Sequence, residues 1–152
     1  KKLRAQGAYE VGAAHYPYML ALHCGFFISL ITEVLWLGTS PSRYILVLGG
    51  FFVVVQMLRA WCLASLGSFW NTKIIILPSA QVVKKGPYQF LRHPNYMIVC
   101  LEIVLLPLMF SAYITAVIFT LLNVAMLRVR IPVEERALIE ATNYEEKFMK
   151  ST

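Results

Sequence analysis

The chain has 152 residues, 59% of them apolar and only 14% charged, with a mean hydropathy of +0.64. Soluble domains average about 45–50% apolar and about 25% charged, so this balance excludes an ordinary soluble domain and predicts a single membrane domain over residues 1–152. The net charge of +6 lies in basic residues between apolar blocks, the pattern of membrane flanks, and no nucleic-acid partner is expected.

The chain opens with Lys1-Lys2 and carries no signal-peptide pattern; the sequence leaves open whether a further segment precedes it. Residues 1–14 are polar enough to lie at a membrane surface. Tyr16 to Leu37 is a 22-residue apolar run broken only by His23, Ser29, Thr32 and Glu33. As a helix it reaches about 33 Å, enough for a hydrocarbon core of ~30 Å. Gly38-Thr39-Ser40-Pro41-Ser42 is a turn, and Tyr44 to Leu66 a second spanning run, which predicts an antiparallel helix hairpin. Residues 67–95 contain three prolines, Gly67, Gly86 and four basic residues, and read as an ordered extramembrane loop. Its Ile74-Ile75-Ile76-Leu77 is β-prone but needs a partner. Two shorter apolar runs follow, Met97–Phe110 and Ala112–Leu127, with their turn at Pro107 and Ser111. Pro132 fits the first position of a C-terminal helix, with Glu134 and Glu135 at the positive end of its dipole and Leu138, Ile139 and Phe148 as its apolar stripe.

The predicted architecture is all-α and integral to the membrane. Two antiparallel hairpins supply four membrane helices at about 16–38, 44–66, 96–110 and 112–130. A cofactor loop spans 67–95 and an amphipathic helix 132–149. With four crossings, residues 1–14, 67–95 and 128–152 share one side and hold three, four and five basic residues, while the opposite turns hold only Arg43. The positive-inside rule puts that rich side in the cytoplasm. Cys24, Cys62 and Cys100 lie in apolar runs without C-x-x-C spacing, which predicts buried packing rather than a disulfide or metal site. Glu33, Arg59 and Glu102 are ionisable groups in apolar runs and are expected to face the interior, with Arg59 paired to Glu102 or, as the alternative, these groups lining a substrate tunnel.

The densest chemical cluster is Lys84-Lys85-Gly86-Pro87-Tyr88-Gln89-Phe90-Leu91-Arg92-His93-Pro94-Asn95-Tyr96, at the mouth of the third helix. Composition alone is equally compatible with an interfacial anchor. The pattern G-P-Y-x-x-x-R-H-P-x-Y, followed by R-x-x-x-E-E-x-x-L at Arg130, Glu134, Glu135 and Leu138, resembles the isoprenylcysteine carboxyl methyltransferases and related phospholipid methyltransferases. The resemblance covers about residues 44–150. It implies a site for S-adenosyl-L-methionine built without a Rossmann domain, whose G-x-G-x-x-G pattern is absent. By motif match, Tyr88, His93, Pro94, Asn95 and Tyr96 line the cofactor. Gln81, Val82 and Val83 add mainly backbone contacts, Glu134 binds the cofactor, and Arg130 orients the substrate.

Residue chemistry is compatible with those roles. Tyrosine faces hold a sulfonium or adenine, and a carboxylate pairs with an ammonium or ribose hydroxyls. Methyl transfer needs a nucleophile aligned with the methyl carbon and no obligatory acid–base pair. An already anionic carboxylate or enol on a lipophilic acceptor, such as an isoprenylcysteine-like acid or an alkylpyrone, can dock on Arg130. The plainer readings make Glu134 a first-turn acid and Arg130 a residue that snorkels to lipid phosphates. The stretch R-H-P-N-Y also resembles the membrane sterol reductases, which implies NADPH as the alternative cofactor.

Overall fold

A computed structural model describes residues 7–78 and 80–144. Strand β1 (Tyr9–Val11) and a single 3-10 turn lead into α1 (Tyr16–Trp36), followed by α2 (Ile45–Leu66), β2 (Ile74–Ile76), α3 (Pro94–Met109) and α4 (Tyr113–Ala141). Three of these helices, α1, α2 and α4, are long and apolar enough to cross a membrane, and α3 is a shorter apolar helix. At 16 residues α3 reaches about 24 Å. Large apolar side chains cover the outside: Leu46 is 88% exposed and Trp36 85%. Helices apolar on every face suit lipid rather than water. This is an integral membrane protein.

The first helix does not pair with its neighbour in the chain. α1 packs along α4 and α2 along α3, with α3 against α4, so the predicted α1–α2 hairpin is a hairpin in sequence and not in packing. Side chains explain the choice. Phe26 of α1 meets Phe119 of α4 edge-on, with ring centroids 5.7 Å apart, and Ser29 Oγ lies 2.8 Å from Thr115 Oγ1. One turn on, Glu33 accepts from the backbone N–H of Ile114 at 3.0 Å and of Thr115 at 2.7 Å, and from the Thr115 hydroxyl at 2.6 Å. These are the opening turn's N–H groups of α4, which lack partners within their own helix. α1 therefore supplies the cap that α4, with Ala112 at its N-cap, does not have. Between α2 and α3, Arg59 donates to both oxygens of Glu102, and Gln56 Nε2 adds a bond of 2.7 Å to Oε1. The expected Arg59–Glu102 pair is formed. The α1–α2 and α3–α4 turns dock on each other through Ser42 N–H and the Met109 carbonyl, 2.9 Å apart.

Three further expectations are corrected. The all-α class holds, but residues 9–11, read as part of a surface segment, form a short ribbon with β2, antiparallel in the register Tyr9–Ile76, Glu10–Ile75 and Val11–Ile74. Ile74 and Ile76 then bury against Ala137, Val133 and Leu138 of α4. No separate helix starts at Pro132, because α4 runs through it to Ala141. Pro132 forfeits the bond to the Arg128 carbonyl, yet its ring faces outward while Val133 and Ala137 pack on the ribbon, and that packing keeps the helix continuous. The stripe residue Phe148 lies outside the described residues. Cys62 is buried as expected and Cys100 half-buried, but Cys24 is exposed on the outer face of α1.

Candidate active site

The loop before α3 is shaped by one glycine. Gly86 has φ +58°, and a Cβ there would stand 2.1 Å from Ser65 Oγ and 3.0 Å from Trp61 Nε1. Only glycine lets the loop press onto α2, and that contact inserts Tyr88 into a core with Val55, Cys62 and Ile98. Burial pushes the Tyr88 phenol above its ordinary range. Pro94 occupies the first position of α3, where a missing N–H costs nothing, and is itself buried. The loop and the helix start then deliver His93, Asn95 and Tyr96 to one cavity.

That cavity has a volume of about 440 Å³ and opens among the ends of the helices and the 69–83 segment. Arg130, 6% exposed, is its central cation. Its Nε donates to the Tyr96 hydroxyl at 3.0 Å, Nη2 to the Thr72 carbonyl at 2.6 Å, and Nη1 to the Met19 thioether. A guanidinium has five N–H groups, so each terminal nitrogen keeps one, and the thioether is a weak acceptor. The Tyr96 hydroxyl in turn donates to Glu134 Oε2. Arg130 and Glu134 are four apart on one helix face, which is why both reach Tyr96. Alongside, His93 Nε2 lies 2.9 Å from Glu135 Oε1, which also accepts from the Tyr144 hydroxyl at 3.2 Å. Burial, and next the Glu135 carboxylate, push Tyr144 up to about 12. Asn95 Oδ1 is buried with no hydrogen-bond partner.

A family model for the isoprenylcysteine carboxyl methyltransferase family matches residues 46–140, which takes in the glycine loop, the Tyr96–Arg130–Glu134 chain and the helices that carry them. The chain belongs to that family. It is 47% identical over 140 residues to "Uncharacterized protein YpbQ" of Bacillus subtilis (strain 168), covering 92% of this chain and 83% of the relative. It is 27% identical over 139 residues to an "Uncharacterized protein" of Haemophilus influenzae (strain ATCC 51907 / DSM 11121 / KW20 / Rd), covering 91% and 81%. No solved structure matches the chain.

Within this methyltransferase-family cavity stand nearly all the residues singled out by motif. Gln81, Val82, Val83, Tyr88, His93, Asn95, Tyr96, Arg130 and Glu134 line it, while Pro94 does not and serves the start of α3 instead. The Val82 N–H is held at 3.0 Å by Asn143 Oδ1, which fixes the upstream segment to the end of α4. Several lining residues carry no motif: Tyr16, Met19 and His23 from α1, and Asn123 from α4. Lys73, also on the wall, pairs with Glu10 of β1 at 2.8 Å and lies over the Tyr16 ring. The signal that marks His23 and Asn123 is general: polar side chains inside apolar runs face protein interior or a cavity. Arg59, read as interior-facing, also reaches the cavity wall.

Proposed function

We propose that this membrane methyltransferase uses S-adenosyl-L-methionine to methylate an acidic oxygen, carboxylate or enol, of a lipophilic acceptor such as an isoprenylcysteine-like acid or an alkylpyrone. The observation that carries the reading is Arg130: a buried guanidinium in a cavity, clamped by Tyr96 and Thr72, with one N–H left on each terminal nitrogen. That is a dock for an oxyanion whose tail extends among the helices.

The donor set fits the cofactor. Asn95 Oδ1 is a buried acceptor in want of a donor, and an ammonium or an adenine amine supplies one. Glu134 has Oε2 engaged by Tyr96 and Oε1 open to a second partner. The residues that would hold the cofactor are Tyr88, His93, Asn95, Tyr96 and Glu134, with Gln81, Val82 and Val83 along the upstream segment. When bound, it supplies a methyl group on a sulfonium, open to attack by an anionic oxygen. Arg130 holds that oxygen by charge-assisted bonds, and its bond to Tyr96, which itself bonds Glu134, sets the acceptor dock beside the cofactor site. His93, braced by Glu135, keeps the loop closed on the cavity. In the sequence, twelve of the fourteen basic residues fall in the segments 1–14, 67–95 and 128–152, a bias that supports four crossings and a cytoplasmic site.

The test is incubation of the purified protein with labelled S-adenosylmethionine and a membrane lipid extract. A methylated lipid, and binding of S-adenosylhomocysteine but not of NADPH, is the expected result. No labelled lipid overturns the reading, and tight binding of NADPH but not of S-adenosylhomocysteine overturns it in favour of a reductase.

A further inference from the structure

The cavity continues past Arg130 into the membrane-spanning part of the bundle, where two polar side chains stand on its wall: His23 of α1 and Asn123 of α4. Asn123 is 3% exposed, and its carboxamide makes one hydrogen bond, from Nδ2 to the Cys100 sulfur at 3.2 Å. A thiol is a weak partner in either orientation of the amide, and the rest of the group is unsatisfied by protein. His23 Nδ1 lies 2.8 Å from the Met19 carbonyl. A carbonyl only accepts, so the neutral ring keeps its proton on Nδ1 and presents Nε2 as an acceptor.

The two residues share one depth. Ser29 meets Thr115, Phe26 meets Phe119 and Met19 meets Arg130, and these pairs bracket His23 opposite Asn123. Asn123 precedes Arg130 by seven residues on the same face of α4, two turns or about 10 Å away. A buried amide with most of its hydrogen-bonding capacity unused is costly in a membrane span, where leucine would pack without loss.

We propose that His23 and Asn123 form a second recognition subsite, which hydrogen-bonds a neutral polar group carried by the acceptor about 10 Å from the oxygen docked on Arg130. The proposal rests on the methyltransferase reading and narrows its substrate class. The acceptor is not a plain hydrocarbon-tailed acid but an amphiphile with a hydroxyl, carbonyl or amide along its body. A hydroxyl satisfies both residues, donating to His23 Nε2 and accepting from Asn123 Nδ2; a carbonyl satisfies Asn123 alone. Both act as positioning residues, because they hold the body of the acceptor and not its reacting oxygen.

The experiment uses the full chain in detergent, labelled S-adenosylmethionine and a total membrane lipid extract, with wild type, His23→Leu and Asn123→Leu. Wild type is expected to label a lipid in which mass spectrometry finds a second polar group several bonds from the new methyl. Each variant is expected to raise KM for that lipid about tenfold, the loss of roughly one hydrogen bond, with kcat and S-adenosylhomocysteine affinity unchanged. A merely structural role would move cofactor affinity and kcat as well. Should a leucine variant fail to accumulate, His23→Phe and Asn123→Val carry the same KM measurement. A labelled lipid with bare hydrocarbon at that position, or KM unchanged in both variants, overturns the subsite and leaves methyl transfer standing. No labelled lipid from wild type overturns the methyltransferase reading, and the subsite with it.

Discussion

Glu33 and Glu134 are both carboxylates on apolar helices, both tied to a neighbouring helix, and they sit at opposite ends of the bundle. Glu33 is saturated: two backbone N–H groups and a hydroxyl close around it, and it is 8% exposed. Glu134 accepts from the Tyr96 hydroxyl and keeps an oxygen open, next to a guanidinium with spare N–H groups and an asparagine oxygen with no donor. The far end is built to hold helices together, and its one buried carboxylate is satisfied by protein, although the Thr39 hydroxyl in the adjoining turn has no partner. The cavity end leaves capacity over, and spare hydrogen-bonding capacity in a buried place is where a ligand belongs. Arg59 and Arg130 differ in partner rather than in spare donors: Arg59 is paired with the Glu102 carboxylate, whereas Arg130 bonds a hydroxyl, a carbonyl and a thioether.

The largest effect expected from breaking the far end is on stability. Glu33→Ala leaves the Ile114 and Thr115 N–H groups buried without acceptors. It should lower unfolding free energy by about 3 kcal/mol, at roughly 1–3 kcal/mol per orphaned group. Thermal unfolding in detergent measures it, and S-adenosylhomocysteine affinity of the folded fraction should stay unchanged. If affinity falls in step with stability, the two ends are not separable.

At the cavity end the expected signature is the reverse. Arg130→Ala should cut kcat/KM for the lipid acceptor about a hundredfold, or roughly 2.7 kcal/mol, with little change in cofactor affinity. Arg130→Lys should recover only part, since an ammonium keeps the charge without the fork. Equal labelling by wild type and Arg130→Ala would remove the acceptor role from this residue.

How far these assignments were legible in the sequence follows the same divide. The long apolar runs announced their helices, and Glu33, Arg59 and Glu102 announced an inward face by being ionisable in lipid-length segments. Which partner each would find was legible only for the pair of opposite charges. Glu33 caps a helix through backbone amides, and amides leave no mark in sequence. The 80–96 motif and Arg130–Glu134 converge as their pattern implied, because i,i+4 spacing alone puts the two on one face. The β1–β2 ribbon was not legible: three-residue strands some sixty positions apart have neither a connecting turn nor an alternation long enough to read. His23 and Asn123 look like interruptions until α1 and α4 are seen to pack.

The Arg59–Glu102 pair tests whether ties between helices are purely structural. Glu102→Ala should cost about 2 kcal/mol, less than a fully buried pair would, because the two side chains are 28% and 21% exposed. The double swap Arg59→Glu with Glu102→Arg should recover most of that loss in thermal unfolding. A swap that restores folding but not activity would show that Arg59 is needed on the cavity wall for its charge, and one that restores neither would count against the pair as a tie between α2 and α3.

The smallest effect sharpens the one misread boundary. Proline looked like the start of a helix at position 132 because its lost N–H and its clash with the preceding turn normally end one. α4 continues through it because residues on both sides are anchored, Arg130 and Glu134 on Tyr96, and Val133 and Ala137 on the ribbon. Pro132→Ala restores the bond to the Arg128 carbonyl, and since the ring is exposed nothing is unpacked by its removal. The full helix-interior penalty of proline is ~3 kcal/mol, but here tertiary anchors have already fixed the backbone. A gain of about 1 kcal/mol in thermal unfolding is therefore expected, with kcat/KM unchanged if helix continuity alone sets the Arg130–Glu134 spacing. A stabilised variant with weakened S-adenosylhomocysteine binding would instead mean that the proline's local distortion aims Glu134, and that the cavity end holds strain which the far end does not.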